Sequence, residues 1–268
     1  MLFFPNCKIN LGLYVTGKRP DGFHDLQTVF YPISIKDIIE IVPSDTFQFM
    51  TSGLSVEIPP EGNLCVKAYW LVKKDFPGLP PVKMWLHKHI PMGAGLGGGS
   101  ADGAFTLKLL NEKFDLHLTT NQLLGYASEL GSDCPFFVFN TPCHATGRGE
   151  ILEPIHLDLS AFSLVLVHPE VHITTAWAFS QINPQAQQRN LKEIITHPIE
   201  LWKDELKNDF EEPVLRRYPQ LTIIKEKLYE AGAVYVSMTG SGSSFYGIFR
   251  SKVQGIAALL KDYNLTIL

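Results

Sequence analysis

The chain has 268 residues, 45% of them hydrophobic and 19% charged, which suits an ordinary globular protein with one large core or two smaller ones. A formal net charge of −4 gives no electrostatic case for nucleic acid or an anionic membrane. No apolar run reaches the roughly 18 residues of a membrane span, and residues 1–8 lack the basic region, apolar core and cleavage site of a secretion signal. The four cysteines, Cys7, Cys65, Cys134 and Cys143, form no Cys-x-x-Cys pair, so zinc and dithiol chemistry are not indicated and a reduced, cytoplasmic protein is expected.

Residues 7–15 alternate, with Cys7, Ile9, Leu11, Leu13 and Val15 apolar, which predicts a strand carrying Lys8 and Asn10 together on its other face. A lysine there is ordinarily solvated; the neighbouring asparagine and the short reach to an unusual turn weaken that reading. The turn is Gly17 to Asp25, where Pro20, Asp21 and Gly22 supply the turn chemistry and Phe23 and His24 follow. Phe23 into a core and His24 to solvent would be a purely structural use of that pair. Residues 26–33 and 37–42 read as further strands, and 63–75 as an amphipathic helix behind a proline-rich loop.

Residues 82–90 alternate again, predicting a half-buried strand. It leads into Pro91, Met92, Gly93, Ala94, Gly95, Leu96, Gly97, Gly98, Gly99, Ser100 and Ala101, with five glycines in seven residues. A helix is predicted from Ala101 to Leu110, with Ser100 as its N-cap. Glycines let backbone N–H groups converge unobstructed, and a helix N-terminus adds partial positive charge, so strand, loop and helix suit phosphate oxygens. No Gly-Lys-Ser/Thr closes the loop, and the Rossmann glycine spacing is absent, so neither familiar dinucleotide or Walker loop is present. A glycine hinge is the bland alternative.

Residues 119–122 resemble a helix N-cap. Gly131, Ser132 and Asp133 then break the chain before Pro135 and an apolar run. Asp133 thus stands at the edge of a core, where a carboxylate needs a partner or serves as a cap. Residues 143–150 read as a turn with two glycines, and the pattern changes near Pro154, which places a domain boundary there: 1–154 and 155–268. Residues 163–169 predict a buried strand and 173–179 a helix start. Residues 183–189 read as a polar loop, and 199–210 and 213–232 as helices. A strand at 234–239, a second glycine loop (240–244), a strand at 245–249 and a helix at 251–261 complete the chain.

The stretch from Pro91 through Ala101 resembles the phosphate loop of the GHMP kinases, and Thr239, Gly240, Ser241, Gly242 and Ser243 resemble that superfamily's C-terminal glycine loop. Lys8 to Leu11, Asp21 to His24 and Gly131 to Phe137 are similar to the branch acting on a cytidine diphosphate conjugate of methylerythritol, in the route to isoprenoid precursors. That resemblance implies an α+β fold of two domains with the active site in the cleft between them. It also implies ATP as phosphoryl donor held by residues 91–101, and transfer to the 2-hydroxyl of the small-molecule acceptor. By the same resemblance Asp133 is the base with Lys8 beside it, Phe23 and Phe179 stack on cytosine, and His24 bonds its edge. Asn10, Thr175, Gly240 and Ser241 complete the acceptor site. Mg²⁺ is expected with ATP, with Ser100 as one protein oxygen, and the chain is expected to act as a monomer or weak homodimer. Phe23 stands where tyrosine is common, and Cys7 where alanine is usual; stacking survives the first change, and nothing catalytic follows from the second.

Overall fold

The computed structural model describes residues 1–184, 190–251, 253 and 255–268. A short strand β1 (Leu2–Phe3) precedes β2 (Asn6–Lys18), whose alternating apolar residues are the pattern seen in the sequence, and β3 (His24–Lys36). They are followed by β4 (Ile38–Pro43) and β5 (Gln48–Gly53). Helix α1 (Leu64–Asp75) is capped by Asn63, whose side-chain oxygen accepts from the Cys65 amide at 2.9 Å. Strand β6 (Val82–Lys88) and helix α2 (Gly98–Lys113) flank the first glycine loop. Thr119 and Gln122 close a capping box on α3 (Thr120–Leu130), and α4 (Cys134–Phe139) follows the Gly-Ser-Asp break.

Beyond α4 come β7 (Cys143–Thr146), β8 (Ile151–Pro154), β9 (Ser163–His168) and α5 (Thr175–Ser180). Then follow α6 (Leu191–Ile194), α7 (Trp202–Glu205), α8 (Glu211–Arg217) and α9 (Thr222–Glu230). The chain ends in β10 (Tyr235–Met238), β11 (Phe245–Phe249), α10 (Ile256–Leu259) and β12 (Asn264–Ile267).

The chain divides into two compact units that interleave along the sequence, where a single cut near Pro154 was expected. The first comprises Met1–Lys8, Pro32–Met92 and Gly97–Thr141. Its sheet has the order β1-β4-β6-β5, with β5 parallel to β6 and the other pairs antiparallel. Helices α1, α2, α3 and α4 pack together, and Ile39, Ile41, Met84, Leu86, Leu107 and Leu110 are fully buried. Inside this unit Lys88 Nζ donates to the carboxylates of both Asp37 and Asp102, the latter at 2.7 Å. Asp37 Oδ1 also accepts from the amides of His89 and Ile90, at 2.5 and 2.8 Å.

The second unit comprises Ile9–Tyr31, Gly93–Leu96 and Pro142–Leu268. It holds the sheet β10-β11-β9-β12, antiparallel throughout, and most of the sheet β2-β3-β7-β8. Leu13, Val15, Val165, Val167, Phe210, Leu228 and Phe245 are among its core residues.

Several expected elements differ. The helix expected at 199–210 is a 3₁₀ turn and the single-turn α7, because the backbone beyond it is captured by β2. The Leu13 amide donates to Lys207 O, and the Asp209 amide to Leu13 O, both at 2.9 Å. The helix expected at 213–232 is broken at Tyr218, which sits before Pro219 at φ −125°, ψ 70°, as proline's steric demand on its predecessor requires. Residues 143–150 are the strand β7 and a turn into β8, and β5 and β12 are strands that the weak alternation of residues 48–53 and 264–267 did not announce. The last helix is reduced to α10; Lys252 and Gln254 of its expected span, and 185–189 of the polar loop, lie outside the described residues.

Candidate active site

In the first unit, β6 delivers the chain to Pro91 and Met92, and α2 receives it at Gly98. Ser100 is not the N-cap. The cap position is Gly97 in the left-handed region at φ 69°, and its carbonyl accepts from the Ala101 amide at 2.9 Å. A side chain is barred at Gly97 by space as well as by φ. A Cβ would stand 3.1 Å from Lys8 Cε and 3.2 Å from Phe137 Cζ. The helix therefore begins one turn earlier than expected, and Gly98, Gly99 and Ser100 occupy its first turn with amides that have no helical acceptor. The Ser100 hydroxyl reaches the Cys134 thiol, whose pKa burial pushes up to about 12, so this buried thiol stays protonated and unreactive.

Lys8 and Asp133 meet: Lys8 Nζ lies 3.5 Å from Asp133 Oδ2. The lysine side chain is 4% exposed, the aspartate 35%. Asp133 precedes α4 in the N-cap position, yet its backbone is helical (φ −84°, ψ −17°) and its side chain makes no capping hydrogen bond among the described residues. The choice left open by the sequence, cap or partnered carboxylate, goes to the ion pair.

In the second unit, Gly95 (φ 77°) runs so close to the second glycine loop that a Cβ there would sit 2.1 Å from Thr239 O. The Thr239 hydroxyl donates to Gly95 O at 3.2 Å and accepts from the Asn10 amide at 3.0 Å. Asn10 Nδ2 donates to the Thr28 hydroxyl at 2.9 Å, which fixes the side chain's orientation. Ser241 Oγ lies 3.3 Å from Thr175 Oγ1, so these two expected acceptor residues are adjacent. Gly240 is held through its carbonyl by Asn208, whose Nδ2 donates to Met238 O and Gly240 O at 2.8 and 2.9 Å. The Ser243 hydroxyl is buried without a hydrogen-bond partner among the described residues.

The expected aromatic group is rearranged. The ring stacked on Phe179 is that of His24, with centroids 4.7 Å apart and planes at 18°, and Phe179 is itself buttressed edge-on by Phe210. Phe23 is 52% exposed, with the Arg148 guanidinium 4.8 Å from its ring centroid.

The chain matches the family described as GHMP kinases N terminal domain over residues 63–141, and GHMP kinases C terminal over residues 190–262. It is 53% identical over 253 residues to the 4-diphosphocytidyl-2-C-methyl-D-erythritol kinase of Bacteroides fragilis, covering 93% of this chain and 92% of that one. The chain belongs to the 4-diphosphocytidyl-2-C-methyl-D-erythritol kinase family. The enzyme of that name from Porphyromonas gingivalis is 42% identical, covering 98% of this chain and 97% of the relative. A crystal structure of 4-(cytidine 5'-diphospho)-2C-methyl-D-erythritol kinase superposes with a TM-score of 0.82 at 28% identity, covering 100% of this chain and 98% of that one. The mevalonate kinase of Methanococcus jannaschii shares the fold, at TM-score 0.73 and 14% identity, over 100% of this chain and 96% of that one. The α+β GHMP-kinase fold expected from the loops is therefore the fold of the chain. Asn208 had no signal in the sequence, because it is a polar residue inside what read as one helix, and only its two carbonyl partners disclose its work. Arg148 was visible only as one residue of a glycine turn.

Proposed function

We propose that the chain transfers the γ-phosphoryl group of ATP to the 2-hydroxyl of 4-diphosphocytidyl-2-C-methyl-D-erythritol, yielding the 2-phosphate and ADP in isoprenoid precursor synthesis. The family supplies the acceptor and the use of ATP. The observation that carries the chemistry is the Lys8–Asp133 pair beside Gly97.

Asp133 takes the hydroxyl proton as the acceptor oxygen forms its bond to the γ-phosphorus and the bond to the leaving ADP oxygen breaks. Lys8, 3.5 Å from that carboxylate, offsets charge on the phosphoryl group in transit. The amides of residues 91–101, with their uncapped helical turn, hold phosphate oxygens. His24, Phe23 and Phe179 receive the cytosine, Asn10 and Thr175 the polar part of the acceptor, and Gly240 and Ser241 the adjoining phosphates. Among the described residues no group of three His, Cys, Asp or Glu comes together to hold a metal ion. The Ser100 hydroxyl, in the first turn of α2, is the side-chain oxygen that would hold a Mg²⁺ arriving with the nucleotide, and the ion would neutralise phosphate charge. Cys7, Cys65, Cys134 and Cys143 are all buried thiols, and a cytoplasmic location belongs to the same reading. The same reading has the chain act as a monomer or weak homodimer.

The test is coupled ADP release with ATP, Mg²⁺ and the cytidyl acceptor, run beside homoserine and mevalonate. Turnover confined to the cytidyl acceptor is expected. Equal turnover of another alcohol would remove the acceptor assignment.

A further inference from the structure

The turn between β7 and β8 has no part in the chemistry above, yet it is built around one side chain. Gly147 adopts φ 67°, and its open space lets Glu150 fold back; a Cβ there would lie 3.0 Å from Glu150 Oε2. That carboxylate accepts from the Arg148 amide at 2.6 Å and from Arg148 Nε at 3.4 Å. One carboxylate thus contacts both the amide and the Nε of the same residue, which restrains the guanidinium locally. The turn is anchored beside β3 by the Leu26 amide, which donates to Gly147 O at 2.7 Å.

Over this fixed guanidinium lies Phe23. Its backbone is held as firmly: the Phe23 amide donates to Asp21 Oδ1 at 3.1 Å, and Phe23 O accepts from the Arg19 amide at 2.8 Å. Its side chain has no such support from a core, since half of the ring is exposed. An exposed phenylalanine of this kind ordinarily samples several rotamers, and ordering it costs binding free energy. Arg148 sits 4.8 Å from the ring centroid, within cation–π range, and covers one face while the other stays open.

We propose that Arg148 is a positioning residue for acceptor binding: it pins the Phe23 ring so that the free face is already oriented for the cytosine. This deepens the kinase reading and rests on it.

The experiment is a double-mutant cycle on the intact enzyme. Arg148→Ala and Arg148→Gln should each raise KM for the cytidyl acceptor about three- to tenfold, the range a cation–π restraint supplies. KM for ATP should stay unchanged. In a Phe23→Leu background the same substitutions should have no further effect, since there is no ring to hold. Retention of the wild-type acceptor KM by both Arg148 variants, in an enzyme whose wild type turns over, overturns this inference alone. So does a full loss that persists in the Phe23→Leu background, which would assign Arg148 a direct contact instead. A wild type silent on the cytidyl acceptor overturns the kinase reading, and this inference with it. Thermal melting of each variant separates a folding defect, which would move KM for ATP as well.

Discussion

Lys8 Nζ and Asp133 Oδ2 lie 3.5 Å apart, brought together from β2 and the residue before α4, with the ammonium buried and the carboxylate at the surface. The arrangement leaves the carboxylate accessible to a hydroxyl proton, as a general base must be. Asp133→Asn should lower kcat by about 10²- to 10⁴-fold, while leaving the dissociation constants for ATP and acceptor nearly unchanged. Rapid-quench turnover and calorimetric binding measure the two separately. A variant with near-wild-type kcat would take the base role away from Asp133.

His24 is stacked on Phe179, so its ring lies on the aromatic surface that the reading assigns to the cytosine. His24→Ala should raise KM for the acceptor by about two- to tenfold, since a hydrogen bond to the base edge contributes about 0.5–1.5 kcal/mol. The ATP constant should hold. Parallel losses in both constants would indicate damage to the fold and not to the acceptor site.

Asn208 spends both Nδ2 protons on the carbonyls of Met238 and Gly240, and its Oδ1 accepts from the Phe210 amide at 3.0 Å. Asn208→Asp conserves size but cannot donate, leaving two buried carbonyls facing a carboxylate. We expect about 2–3 kcal/mol of destabilisation from the unmade bonds, together with a lower kcat, because the loop carrying Gly240 and Ser241 loses its anchor. Urea denaturation and steady-state kinetics on the same preparation test this. A stable and fully active Asn208→Asp would show that the anchor is dispensable.

Lys88 is shared by two buried carboxylates. Burial pulls its ammonium down, but the charges of Asp102 and Asp37 outweigh this and hold its pKa above the ordinary value. Burial pushes the Asp102 carboxyl well up, and its Oδ1 has no hydrogen-bond partner among the described residues, whereas Asp37 receives two backbone amides. Asp102 is thus the carboxylate with less hydrogen-bond support. Asp102→Asn should cost less than about 1 kcal/mol, and Lys88→Met about 3–5 kcal/mol, because the second leaves carboxylates buried without their cation. Chemical denaturation decides; comparable losses in the two variants would contradict this ordering.

The pH dependence of stability follows from two histidines. Burial lowers the pKa of His144, with the charge of Lys192 adding to it, and burial likewise lowers that of His168 against the opposing charge of Glu170. Below the ordinary value of 6.5 the unfolded chain binds more protons than the folded one, so stability rises with pH in that window and is lost as pH falls through the lowered folded values. The melting temperature should drop from pH 7.5 to pH 5.5, and the drop should be smaller in a His144→Asn/His168→Asn variant. An identical slope in that variant would assign the acid sensitivity to other groups.

The sequence by itself determined the elements whose causes are local. Alternation set β2 and β6, a continuous apolar run set β9, Thr119 announced its helix, and the glycine-rich run between β6 and α2 announced a loop with exposed amides. Each depends on residues within a few positions of one another. Resemblance then pointed to Lys8 and Asp133, but whether Asp133 capped a turn or met the lysine was open until the fold placed them side by side. Only the tertiary structure decided the rest, and for one reason: the deciding partners are distant in the chain. Residues 206–209 left the helix because β2 offered its backbone, and Asn208 acquired its role from the carbonyls of a later loop. His24 took the face of Phe179, and Arg148 came to rest on Phe23. Periodicity records which face of an element is apolar; it carries no record of which distant group will be packed against it.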